Sequence, residues 1–160
     1  MRTFQGGSEA RGRRFAVVAS RFNDMVVDKL AEGAVACLRK HGVAEDDLDL
    51  VWVPGAFELP VAARRLAGSG GYDAVICLGA VIRGETAHFD FIAAEAARGI
   101  SQVALETGVP VMFGVLTTET YEQAMDRAGG QHGNKGWDAA MAALETVDVL
   151  DHLPKRESET

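Results

Sequence analysis

Basic charge is in short supply in this chain. Sixteen Lys and Arg stand against 23 Asp and Glu, leaving a net charge of −7 and a pI near 5.1. That balance argues against nucleic acid or an anionic membrane as the main partner. Any phosphate has to be held by a few local positive groups. Long hydrophobic runs are missing too: the apolar stretches are strand-sized, so none reads as a membrane-spanning helix. Met1–Arg14 has no apolar stretch of the about 7–15 residues that mark a signal peptide, which points to the cytoplasm. Cysteine is nearly absent. Cys37 falls in a helical pattern and Cys77 in an apolar strand pattern, so both are expected as small core residues and not as a disulfide.

Metal-binding patterns are absent as well. Neither cysteine belongs to a Cys-x-x-Cys pair, and His41, His88, His132 and His152 have no partner at helical ligand spacing. No Gly-x-Ser-x-Gly elbow occurs, and Ser69 sits in a plain Gly-Ser-Gly turn, which disfavours a Ser-His-Asp hydrolase. An acidic cluster after the first strand, as a receiver-type signalling domain needs, is also lacking; Arg21-Phe22-Asn23 stands there instead.

What remains is a chain of 160 residues, 48% hydrophobic, long enough for one domain with a real core. Strand and helix patterns alternate. Phe15–Ser20, Leu48–Val53, Ala74–Ala80 and Val111–Thr117 are short apolar or β-branched runs, without the clean alternation of a half-exposed strand. Val27, Leu30, Ala31, Ala34 and Leu38 form a helical stripe ending at Gly42; Ile92, Ala96, Ile100 and Val103 form another ending at Gly108. A shorter helix is expected from near Ala56 to Gly68. After Thr117 two helices are expected in succession, about Glu119–Ala128 and Gly136–His152, joined by Gly129–Gly133. Leu153–Thr160 reads as a charged, frayed tail. The pattern predicts a three-layer α/β/α domain with four parallel strands and right-handed crossovers.

Such a sheet binds ligands beyond the carboxyl ends of its strands, and the notable residues cluster there. Gly79–Asp90 joins an apolar strand to a helix through a glycine-rich corner carrying Arg83, Glu85, Thr86 and His88. Outward amides and a helix N-terminus there suit an anion, and His88 beside it carries an imidazole, the side-chain type suited to proton transfer under physiological conditions. Gly79 and Gly84 have the spacing of a nucleotide-binding P-loop, but Glu85 stands where that loop needs lysine. His88 reads either as a working imidazole or as a helix-start residue bonded to backbone. Arg83 reads as a surface or subunit-contact charge. Phe22 is either a hydrophobic staple for the following helix or a ring that stacks on a flat heterocycle. In Pro54-Gly55-Ala56-Phe57-Glu58, Glu58 is either a helix-dipole partner or an acceptor for polyol hydroxyls. Arg127 and Lys135 form either a solvated pair or a phosphate clamp.

Taken together, Ser20-Arg21-Phe22-Asn23, Val53–Pro60, Val81–Asp90, Phe113–Thr117, Arg127-Ala128-Gly129 and Gly133–Gly136 give residues 12 to 150 a strong resemblance to the 6,7-dimethyl-8-ribityllumazine synthase family of riboflavin biosynthesis. Phe57 stands where some relatives carry another aromatic. The resemblance implies a flavodoxin-like fold and condensation of 5-amino-6-(D-ribitylamino)uracil with 3,4-dihydroxy-2-butanone 4-phosphate, without a cofactor. It would place Phe22 on the pyrimidine, Ala56, Phe57 and Glu58 on the ribityl chain, and Ala80, Val81 and Ile82 around the ring. Glu85, Thr86 and Arg127 would hold the butanone phosphate, with Lys135 adding charge, and His88 would shuttle protons. Phe113 would close the pocket from a neighbouring subunit. The family also implies pentamers with active sites at subunit interfaces. The short Ala128–Gly136 link resembles that of members that pack twelve pentamers into a sixty-subunit shell. The segment before Arg14 is expected to pair with a neighbour's sheet, and riboflavin synthase is an expected partner. The rival reading is a non-catalytic flavin- or lumazine-binding protein on the same scaffold.

Overall fold

The four apolar runs become four parallel strands in a computed structural model that describes residues 1–155. β1 (Phe15–Ser20) and β2 (Leu48–Val53) have the predicted ends; β3 (Ala74–Ile82) and β4 (Val111–Thr118) run slightly further. The sheet order is β2-β1-β3-β4, and every pairing in it is parallel. All of β1, and all of β3 except Ile82, is buried, whereas the outer strands β2 and β4 are partly exposed. Central position explains the unbroken apolar runs: a strand covered on both faces has no solvent side for polar residues.

Alternate side chains feed two cores. Phe15, Val17 and Ala19 pack towards α1 (Asp24–Lys40) and its partner helix near the C-terminus, while Ala16 and Val18 pack towards α2 (Leu59–Gly68) and α3 (His88–Thr107). The result is the expected three-layer α/β/α sandwich. Gly108 ends α3 in the left-handed conformation, φ 70°, which glycine enters without the usual Cβ penalty. α2 is preceded by a separate 3-10 turn, Ala56–Glu58, and does not run continuously from Ala56 as expected. Both cysteines are buried and free, and burial pushes the Cys77 thiol up to about 12 and Cys37 to about 11.

The chain departs from expectation most after β4. α4 spans only Tyr121–Asp126, because Thr120 accepts from the Gln123 N–H while the Gln123 side chain accepts from the Thr120 N–H, a capping box that starts the helix late. In place of the expected loop, β5 (Ala128–Gly130) and β6 (Gly133–Asn134) pair as a small antiparallel ribbon. Gly129 and Gly133 have φ of 109° and 76°, so the turn needs residues free of Cβ strain. α5 (Lys135–His152) follows, its first turn capped by Asn134 accepting from the Trp137 N–H at 3.0 Å.

Beyond its buried apolar face, two contacts fix how α5 lies against the rest. At Gly136 its backbone comes so close to α1 that a Cβ would lie 1.9 Å from the Leu30 carbonyl oxygen. Near its other end, Asp148 anchors the N-terminal segment, which forms no strand within the single chain. Asp148 Oδ2 accepts from the Gly7 N–H at 2.7 Å and Oδ1 accepts from Arg13 at 3.2 Å. Leu153–Lys155 is exposed and forms no element; the rest of the predicted tail lies outside the described residues.

Alanine normally stabilises a helix over glycine by about 1 kcal/mol. Gly136→Ala should instead destabilise the fold by about 1–3 kcal/mol in urea unfolding, as overpacking does; a neutral or stabilising result would contradict the close approach. The Gly7 N–H, followed by Arg13, holds the Asp148 carboxyl below the ordinary Asp range against the opposing effect of desolvation. A carboxyl lowered in the folded state adds stability above its unfolded pKa and loses it as pH falls through the folded value. Asp148→Asn should therefore melt lower than wild type at pH 7, and the gap should close below about pH 4. A gap independent of pH would rule out the carboxylate as its source.

Candidate active site

The ends of β1, β2 and β3 are stitched together beyond the strands themselves. The Arg21 N–H donates to the Val53 carbonyl at 2.8 Å and the Phe22 N–H to the Pro54 carbonyl at 3.0 Å. Asn23 then turns into the left-handed region, φ 63°, and its Nδ2 donates to the Ala80 carbonyl at 2.8 Å. Phe22 is thereby held outward, 72% exposed. The structure thus overturns the alternative of a staple buried against α1.

At the end of β2, Gly55 is extended and the chain winds into the Ala56–Glu58 turn. Ala56 is buried, Phe57 is exposed and Glu58 is half-buried. The Glu58 carboxylate lies back over the turn, its Oε1 3.3 Å from where a Cβ on Gly55 would be. At the end of β3, Ala80 and Val81 are buried and Ile82 half-buried, and the glycine-rich corner leads into His88 at the start of α3. Beneath these turns, a Cβ on Gly79 would lie 2.8 Å from the buried Ser20 hydroxyl, so the floor admits no side chain there.

These segments enclose a cleft of about 600 Å³. Phe22, Ala56, Phe57, Glu58, Ala80, Val81, Ile82, Thr86 and His88 all line it, as the sequence reading expects. Asn23, Phe89 and Ile92 also line it and were not singled out as site residues. Ile92 had a detectable signal, since it lies one helical turn beyond His88 and so on the same face. Thr86 accepts from the His88 backbone N–H at 3.4 Å, while the His88 ring makes no hydrogen bond among the described residues. Its imidazole is therefore not committed to the backbone. Glu85 lies on the same exposed loop but does not form a wall of the cleft.

The remaining expected site residues lie elsewhere. Phe113, Arg127 and Lys135 line a second depression of about 440 Å³, along β4 and the ribbon, together with His132 and Asp138. Arg127 caps α4 and donates to the Gln123 carbonyl at 3.0 Å, and its own carbonyl accepts from the Lys135 N–H at 2.8 Å. Asp138 sits one turn after Lys135 on α5, a spacing readable from the sequence, whereas His132 is brought in by the unforeseen ribbon. The division has an electrostatic consequence: among the described residues, neither lysine nor arginine lines the first cleft. Its walls suit a flat, largely apolar ring with polar groups at one rim.

Comparison with known proteins agrees with this architecture. The family model described as 6,7-dimethyl-8-ribityllumazine synthase matches residues 12–151. The chain belongs to the 6,7-dimethyl-8-ribityllumazine synthase family. Two Clostridium kluyveri sequences bearing that family's name are each 50% identical over 153 residues, covering 96% of this chain and 99% of theirs. The lumazine synthase match includes both depressions, since it extends through Lys135 into α5.

The Asn23 link gives a stability test. Asn23→Ala loses the Ala80 bond and leaves a Cβ residue in the left-handed region, which should cost about 1–3 kcal/mol. Asn23→Gly removes the backbone strain but not the lost bond, so urea unfolding should show a smaller deficit. Equal deficits would mean that the backbone conformation contributes nothing.

Proposed function

We propose that this chain condenses 5-amino-6-(D-ribitylamino)uracil with 3,4-dihydroxy-2-butanone 4-phosphate to 6,7-dimethyl-8-ribityllumazine, releasing phosphate and water. Membership in the lumazine synthase family supports the reaction. The observation that carries the site is an apolar strand-end cleft with an uncommitted imidazole on its rim. Phe22 would stack on the pyrimidine and Ala80, Val81 and Ile82 would line its edges. Ala56 and Phe57 would offer backbone groups to the ribityl chain, and Glu58 would accept from its hydroxyls. Glu85 and Thr86 would hold the phosphate from the loop. His88 would take and return protons as the amine adds to the ketone, water leaves the carbinolamine, the imine loses its C3 proton and the C4 phosphate, and the ribitylamino nitrogen closes the ring on the new ketone with loss of a second water. Most of the acceleration would come from holding two reactants together, with acid–base help of about 10²–10⁴-fold.

Among the described residues no lysine or arginine lines the cleft to meet a phosphate dianion, and this supports a site completed by a second copy. Phe113, Arg127 and Lys135 of a neighbouring subunit would close the ring pocket and neutralise the phosphate. Large exposed apolar side chains, among them Phe22, Phe57, Phe91 and Phe113, suit such a contact. The assembly proposed is a pentamer, twelve of which form a shell, in keeping with the short link between α4 and α5. The protein would act in the cytoplasm, with riboflavin synthase as a candidate partner.

The test follows lumazine fluorescence after mixing both substrates with protein, against a protein-free control. His88→Ala should slow turnover by about 10²-fold or more without abolishing it, and Arg127→Ala should raise KM for the phosphorylated ketone. Dissociating and reassembling the two variants together should restore part of the activity, because a mixed contact joins an intact His88 to an intact Arg127. No recovery would contradict the shared site. No rate above the control, combined with tight riboflavin binding, would favour the non-catalytic binder.

A further inference from the structure

Arg83 occupies the first position after β3 and does not line the cleft. Its contacts nevertheless surround the loop that does. The Arg83 N–H donates to the Thr118 carbonyl at 2.9 Å, extending the β3–β4 ladder by one step. Its Nε lies 2.8 Å from Glu119 Oε2, and a terminal nitrogen lies 3.3 Å from Asp90 Oδ1. The guanidinium carbon sits 4.4 Å from the centre of the Phe89 ring. One planar cation therefore spans the end of β4, the first turn of α3 and an aromatic wall of the cleft.

Both anchors are held at the backbone. The Glu119 N–H donates to the Gln123 side chain at 2.9 Å within the capping box, and the Asp90 N–H donates to the Ala87 carbonyl at 3.1 Å. Between Arg83 and Asp90, residues 84 to 87 are exposed. A lone exposed ion pair contributes little, but one guanidinium shared by two carboxylates and a ring has a geometry only Arg can satisfy. Lysine, with one point charge, could not face both carboxylates and lie over the ring at once.

We propose that Arg83 is a positioning residue: by bracketing Glu119 and Asp90 over Phe89, it fixes the Gly84–Ala87 loop and so places Thr86 and His88 for the phosphorylated substrate. This rests on the synthase reading above. It differs from a general surface role because the loop holds the phosphate, and the pyrimidine is held by other segments.

Wild type, Arg83→Gln, Arg83→Lys and Glu119→Gln would be compared in steady-state kinetics and in amide hydrogen exchange of the segment 83–90. Arg83→Gln should raise KM for the butanone phosphate about tenfold, as loss of pre-set geometry does, and leave KM for the pyrimidine within about twofold. Arg83→Lys should recover only part of the loss. Glu119→Gln should show a milder form of the same selective defect, and adding it to Arg83→Gln should cause no further loss. Exchange of the segment should quicken in each variant while the melting temperature and particle size hold. An equal rise in both KM values, unchanged exchange, or faster exchange with unchanged KM would overturn the proposal. If wild type itself makes no lumazine above the control, the synthase reading falls; exchange still decides whether Arg83 orders the loop.

Discussion

The hydrogen bond from Asn23 Nδ2 to the Ala80 carbonyl is the constraint on which the cleft depends. It joins the turn after β1 to the end of β3, while the Arg21 and Phe22 N–H groups join that same turn to the end of β2. Three strand ends that could diverge are thus held together. The cost is one non-glycine residue with positive φ, which Asn tolerates better than most residues. Phe22 is exposed as a direct consequence, since its neighbour on each side is already tied to the sheet. An aromatic ring displayed in this way has no packing role within the chain.

Much of this was legible in the sequence because burial imposes simple patterns. β1 and β2 have the boundaries expected from their apolar runs, and α3 ends at Gly108, which cannot be told from any other glycine except by its place after the last periodic residue. The cleft residues were legible for a related reason. In a parallel sheet, strand polarity fixes which end carries the ligand-binding turns, so locating four strands located the cleft. The ribbon β5–β6 was not legible, because its pairing involves only a few residues and is set by two glycine conformations and not by hydrophobic periodicity. The late start of α4 depends on a reciprocal cap between Thr120 and Gln123, a signal present in the sequence but outweighed there by the helical pattern around it.

The grouping of charge was the least legible feature. Arg127 and Lys135 are eight positions apart and come together through the ribbon; the backbone bond between them closes it. His132 arrives by the same route. Sequence reasoning joined Phe113, Arg127 and Lys135 to His88 in one site, with Phe113 contributed by a neighbouring subunit; within a single chain all three line a different depression. No intrachain pattern could have shown this, because it depends on which edge of the sheet each element occupies: β3 is central and β4 is outermost.

That separation resolves two opposed physical demands on the proposed reaction. A flat ring is best held by dry, apolar walls, whereas a phosphate dianion needs cations and polar donors. Placing Arg or Lys inside the cleft of a free chain would leave a partly desolvated charge without a partner, a costly arrangement before substrate arrives. With the cations on another surface, each would remain solvated until two chains met. Association would then exclude water and deliver positive charge in the same step, when electrostatic stabilisation becomes strongest. Arg83 has a complementary position in this scheme. It carries a positive charge beside the cleft but is paired with Glu119 and Asp90, so it would shape the loop without supplying the missing charge.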